Sequence, residues 1–159
     1  MNKDTQEAFD GTRSAATIAA GALDEVAKII KPGITTNQID SLCYEFINDN
    51  GACSAPLFYR GFPKSCCTSP NHTICHGIPG DKILTNGDIV NVDVTSFKNG
   101  WHGDTSRMFY VGEVSIKAKK LIDVTYNSMM RAIKILNKEI TLGDIGSTIQ
   151  TYVENEGFS

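Results

Sequence analysis

The tightest constraint on how this chain folds is a dipeptide, Asn99-Gly100, set between two alternating runs. Asn-Gly is the strongest short-range signal for a two-residue type I′ hairpin, because both turn residues must take positive φ. Before it, Ile89 to Thr95 places Val90, Val92 and Val94 on one face and Asn91, Asp93 and Thr95 on the other. After it, His102, Asp104 and Ser106 again fall on alternate positions. A two-residue loop pairs Lys98 with Trp101, Thr95 with Asp104 and Asp93 with Ser106. The two aspartates then emerge from one face as a diagonal pair, roughly 7–8 Å apart at the backbone. A β-bulge would shift that register.

Two like charges on one sheet face repel, and each makes the other harder to ionise. A hard divalent cation between them removes the conflict, since carboxylate oxygens suit such ions. A polar, solvated face of an antiparallel hairpin accounts for the same spacing. The pair alone leaves both readings open.

With 159 residues, 41% of them hydrophobic and 21% charged, the chain has the material for one soluble domain with a real core. A net charge of −3 offers no basic footprint, so no specific nucleic-acid partner is expected. Five cysteines, including the adjacent Cys66 and Cys67 and no C-x-x-C pair, do not form a disulfide framework or a zinc ribbon. Reduced thiols in the cytoplasm are the expectation. The first ten residues lack the apolar run of a signal peptide. No stretch reaches the ~20 apolar residues of a membrane span.

Helical periodicity opens the chain through Ala16, Ala19, Leu23, Val26, Ala27 and Ile30, and Lys31-Pro32-Gly33 ends it. A second helix starts at a capping box, Thr35 to Gln38, carries Ile39, Leu42, Cys43, Phe46 and Ile47, and stops at Asn50-Gly51. Residues 54 to 80 read as loops and short strands, and Ile83 to Val114 as the β part. The helical period returns from about Ser115 through Leu121, Met129, Ala132, Ile133 and Leu136. A last helix, capped at Thr141, runs through Ile145, Ile149, Tyr152 and Val153 to Gly157.

The end of the chain repeats its beginning. Ile34-Thr35, Ile39, Ser41 and Gly51 recur at one constant offset as Ile140-Thr141, Ile145, Ser147 and Gly157. Leu23, Val26, Ala27 and Ile30 correspond to Met129, Ala132, Ile133 and Leu136 at the same offset. An internal repeat is the expectation, a first copy over about 12–115 and the start of a second over about 116–159. The chain reads as one incomplete domain that stops where the second β region would begin.

Longer motifs now become recognisable. Gly61-Phe62-Pro63-Lys64-Ser65, Asn71, Cys75-His76-Gly77-Ile78-Pro79, Gly87 to Val94 and His102-Gly103-Asp104-Thr105-Ser106 resemble, in order and spacing, the type I methionine aminopeptidases of metallopeptidase family M24. The resemblance runs from about Thr12 to the last residue. It implies the α/β pita-bread fold, whose pseudo-twofold symmetry accounts for the repeat. It implies removal of the initiator methionine from nascent chains with a small second residue. The amino-terminal methionine of such chains is the implied partner, with the ribosome as an expected place of action.

On that resemblance Asp93 and Asp104 are the first two of five ligands to two divalent metal ions (Co, Mn, Fe or Zn). Asp104 would bridge the ions and Asp93 would bind one. His76 matches a substrate-contacting histidine, and Tyr59, Phe62 and Cys67 match positions lining the methionine pocket. Such a pocket suits a flexible thioether. His102 shares the aspartates' face, but the resemblance does not count it among the ligands. Pro56, Phe62, Arg60 and His72 depart from the residues common in bacterial members and put fine specificity in doubt. Three metal ligands and a second substrate histidine have no counterpart here, so this chain alone is expected to be inactive and to self-associate through uncovered sheet and apolar surface. A non-catalytic pita-bread binding module and a proline-specific M24 aminopeptidase are the competing functions.

Overall fold

Ten residue pairs join two strands across the Asn99-Gly100 turn in the computed structural model, which describes residues 3–159. The strands are β3 (Ile89–Lys98) and β4 (Trp101–Tyr110), preceded by the short β1 (Cys53–Ser54) and β2 (Cys67–Pro70). Lys98 faces Trp101, Thr95 faces Asp104 and Asp93 faces Ser106, with no bulge between. Asn99 and Gly100 take φ of 51° and 88°, the positive values that a type I′ turn demands.

The described residues divide into two units, one ending at Val114 and the other running from Ser115 to Ser159. In the first, β3 is the central strand of an antiparallel sheet. It pairs with β4 along its whole length, and with β1 and β2 at opposite ends of its other edge. Val90, Val92, Val94 and Ser96 are fully buried on one face, as strict alternation requires. That face is covered by helices α1 (Lys3–Ile29) and α2 (Thr36–Asp49). Leu23, Val26, Ile39, Cys43, Ile47, Leu84 and Val111 complete the core with the strand valines. Helix α1 lies unusually close to the sheet. Ser96 donates a 2.7 Å hydrogen bond to the Ala15 carbonyl, and a Cβ at Gly103 would sit 2.0 Å from the Ala16 nitrogen.

The buried stripe of α1 is Ala15, Ile18, Ala19, Ala22, Leu23 and Val26, whereas Ala27 is exposed. Alanines carry little hydropathic signal, so periodicity located the helix better than its inward edge. Helix α2 begins with both halves of its capping box in place, Gln38 nitrogen to Thr35 hydroxyl and Thr35 nitrogen to Gln38 carboxamide.

The second unit is a helix pair, α3 (Ile116–Lys134) and α4 (Leu142–Asn155). Helix α4 opens with the same device as α2, a capping box between Thr141 and Asp144. Gly51 and Gly157 follow the two capped helices with φ of 68° and 84°. Of the apolar stripe read from the sequence, Ala132 is buried, Leu121, Met129 and Ile133 are exposed, and Leu136 lies beyond the end of α3.

Candidate metal and substrate site

The polar face of β3 carries Asp93 in the middle of the sheet, flanked directly by Cys67 of β2 and Ser106 of β4. One step along, Thr95 faces Asp104. A cleft of 690 Å³ opens on this face. Asp93, Asp104, His76, Tyr59, Phe62 and Cys67 all line it, together with His102 and Arg60.

Asp93 is half-buried and Asp104 is exposed. Burial raises the Asp93 carboxyl above its ordinary value, and the neighbouring Asp104 raises it further through its charge and a hydrogen bond to it. His76 acts in the opposite direction, which places its imidazole within electrostatic reach of the pair. Two converging carboxylates with oxygen donors and mutual repulsion fit a hard divalent cation. Among the described residues no third His, Cys, Asp or Glu completes a metal-holding group with them.

Cys67 is pushed up to about 11, first by burial and then by the charges of Asp93, Cys75 and Asp104. It therefore lines the cleft as a neutral thiol at physiological pH. All five cysteines are free.

His76 reaches the cleft from a loop pinned to β2 through Gly77. The Gly77 carbonyl accepts from the Thr68 nitrogen at 2.8 Å, and the Gly77 nitrogen donates to the Ser69 hydroxyl at 3.2 Å. A Cβ at Gly77 would lie 2.1 Å from the Thr68 carbonyl oxygen, so the loop approaches this closely only with glycine. His76 itself takes φ of 53°, a left-handed conformation uncommon outside glycine and frequent where function over-determines the backbone.

Both walls of the cleft are tied to the first turns of α2. Asp40, 8% exposed, accepts from the Ser65 nitrogen at 2.8 Å, the Ser65 hydroxyl at 2.6 Å and the Cys66 nitrogen at 3.1 Å. Lys64 donates to the Asn37 carboxamide at 2.7 Å and lies 3.9 Å from Asp40. These bonds fix the strand entry that sets Cys67 opposite Asp93. On the other side, Thr36 exchanges two 2.9 Å bonds with Gly80, and Asn37 donates to the Asp81 carboxylate at 2.9 Å. The wall that Ile78 forms is held there. Sequence periodicity missed Asp40, because a buried polar residue inside an apolar stripe gives no signal until its partners are known.

His102 stacks beside Phe97 with ring centroids 4.7 Å apart and faces the same cleft. Strand alternation alone had placed it on that face. No helix among the described residues is long and apolar enough to cross a membrane.

Residues 10–159 match the model of metallopeptidase family M24. The methionine aminopeptidase of Rickettsia prowazekii is 53% identical over 155 residues, covering 98% of this chain and 60% of that protein. The Escherichia coli K12 enzyme of the same name is 45% identical over 157 residues, with the same two coverages. The crystal structure of the Rickettsia prowazekii methionine aminopeptidase superposes with a TM-score of 0.95 at 52% identity, over 97% of this chain and 62% of that one. A Xaa-Pro dipeptidase from Bacillus anthracis gives a TM-score of 0.83 at 21% identity, covering 95% of this chain and 42% of that one, a likeness of fold alone. The chain thus spans about 60% of the length of the relatives it matches. The resemblance of these solved structures makes the fold the α/β pita-bread type.

Proposed function

This chain belongs to metallopeptidase family M24, and from that premise we propose that it supplies the metal-holding carboxylates and the methionine-binding wall of a methionine aminopeptidase. The reaction is removal of the initiator methionine from nascent polypeptides. One observation carries the proposal: a single cleft gathers Asp93, Asp104 and His76 beside Tyr59, Phe62 and Cys67. The identity of 53% to a named methionine aminopeptidase, against 21% to the proline-specific dipeptidase, favours the former substrate class. A pure binding module would have no use for two mutually repelling carboxylates.

In this reading Asp93 and Asp104 contribute oxygen donors to two divalent ions of the Co, Mn, Fe or Zn class. When bound, such ions polarise the scissile carbonyl and activate water at neutral pH. His76 hydrogen-bonds the substrate beside the scissile peptide, held in place by Gly77. Tyr59, Phe62 and the neutral Cys67 thiol receive the thioether, which suits soft, polarisable contacts. The five free thiols favour a reducing compartment, so we place the protein in the cytoplasm, where nascent chains leave the ribosome. With two carboxylates and no third donor among the described residues, the 159-residue polypeptide alone holds metal weakly and turns over little substrate. Its exposed apolar helix face favours self-association.

Peptide recognition tests the assignment without requiring turnover. Amide spectra of the protein are recorded with Met-Ala-Ser-amide and with Lys-Ala-Ser-amide. Perturbations concentrated at Tyr59, Phe62, Cys67 and His76, and present only with the methionyl peptide, are expected. Equal responses to the two peptides, or none, would remove the methionine reading.

A further inference from the structure

The cleft contains one cation that the reading above leaves without a task. Arg60 lines it between Tyr59 and Phe62. Its guanidinium lies 5.5 Å from the Tyr59 ring centroid, and no carboxylate among the described residues forms an ion pair with it. By contrast, Arg107 on β4 is paired with Asp24 at 2.9 Å.

The backbone at Arg60 is also unusual. Its φ and ψ of 49° and 32° are left-handed, and Phe58 and Gly61 beside it have φ of 67° and 85°. The turn is closed by the Phe58 nitrogen to the Phe62 carbonyl at 2.8 Å and the Phe62 nitrogen to the Tyr59 carbonyl at 3.0 Å. A long, charged, non-glycine residue held in this conformation at a cleft wall is the kind of outlier that points to a binding role. Tyr59 beneath the guanidinium orients it without neutralising it.

We propose that Arg60 is a specificity-determining residue that takes a carboxylate of the bound peptide. The inference rests on the peptide-binding reading of this cleft. It follows from the charges along such a ligand. The methionyl side chain is apolar and belongs to Tyr59, Phe62 and Cys67. The amino terminus carries no negative charge and cannot pair with Arg60. Only the chain beyond the first residue can present an anion, either an acidic side chain or, in a very short peptide, the terminal carboxylate. Arginine recognises either one through a planar pair of donors that lysine lacks.

Dissociation constants for Met-Ala-Glu-Ser-amide, Met-Ala-Gln-Ser-amide, Met-Ala and Met-Ala-amide test this on the wild-type protein, Arg60→Gln and Arg60→Lys. The Glu peptide is expected to bind about three- to fivefold tighter than the Gln peptide at low salt, the size of an exposed ion pair. That ratio falls to about one in Arg60→Gln, survives in part in Arg60→Lys, and shrinks as salt screens the pair. A preference for free Met-Ala over its amide, with Glu and Gln peptides equal, would support carboxylate recognition with the terminal group as its source. If the Gln peptide binds but no carboxylate improves binding, or if the preference persists in Arg60→Gln, the role of Arg60 is refuted while the cleft reading stands. If no methionyl peptide binds at all, the cleft reading falls and this inference with it.

Discussion

Asp88 marks the point where the chain enters β3, and its carboxylate holds that entry together. It accepts from the Thr85 nitrogen at 2.8 Å, the Thr85 hydroxyl at 3.1 Å and the Asn71 carboxamide at 2.9 Å. Burial pulls its pKa up, but these hydrogen bonds outweigh burial and leave it below the ordinary value. A carboxylate lowered in the folded state stabilises the fold above its unfolded pKa of about 4, and that contribution is lost as pH falls through the lowered folded value. Urea melts should therefore show wild type gaining on Asp88→Asn as pH rises from about 2 to 6; parallel curves would mean the carboxylate contributes nothing. Gly77 supports a second expectation. Gly77→Ala forces a Cβ against the Thr68 carbonyl and should cost about 1–3 kcal/mol, read by thermal denaturation. An unchanged melt would show that the loop yields freely. At this scale the sequence reveals faces well and backbone conformation poorly. Period-two alternation put Asp93, Asp104 and His102 on one face. Nothing local announces the left-handed His76, because that geometry is set by the contact of Gly77 with a strand several residues earlier.

Helix α2 is more than a cover for the sheet, since its first two turns bind both walls of the cleft. Its capping box was legible because Thr35 and Gln38 act within one turn. The loop from 55 to 66 was not, because its fixed points come from Asp40 and Asn37, 25 and 27 residues away. Removing the Asp40 carboxylate strands two buried backbone N–H groups. Asp40→Ala should lose about 2–4 kcal/mol of stability, with a smaller loss in Asp40→Asn, which keeps one acceptor. Hydrogen exchange at Ser65 and Cys66 should accelerate in both. Exchange that stays at the wild-type rate would mean the loop is held by something else, and Cys67 would not depend on α2 for its place opposite Asp93.

Across the whole molecule two capped helix pairs follow one pattern, yet the second leaves more of its large apolar side chains exposed. Leu23 and Val26 are buried in the first pair, whereas in the second Ala132 is buried but Met129 and Ile133 are 46% and 49% exposed. Ile116 and Leu142 add 88% and 87% exposure. Surface of this kind associates with itself. Sedimentation of the purified protein should show concentration-dependent association that Ile133→Glu weakens; a monomer at every concentration would contradict this. The matched caps and glycines were visible in the sequence, while the exposure of apolar side chains on α3 and α4 depends on tertiary contacts that no local pattern encodes. The proposed function stands on the paired carboxylates holding divalent metal, and calorimetric titration of wild type, Asp93→Asn and Asp104→Asn with Mn²⁺ tests this. Weak but saturable binding to wild type, reduced at least about tenfold in either variant, is expected. Equal binding by all three proteins would mean that the carboxylates do not hold the metal.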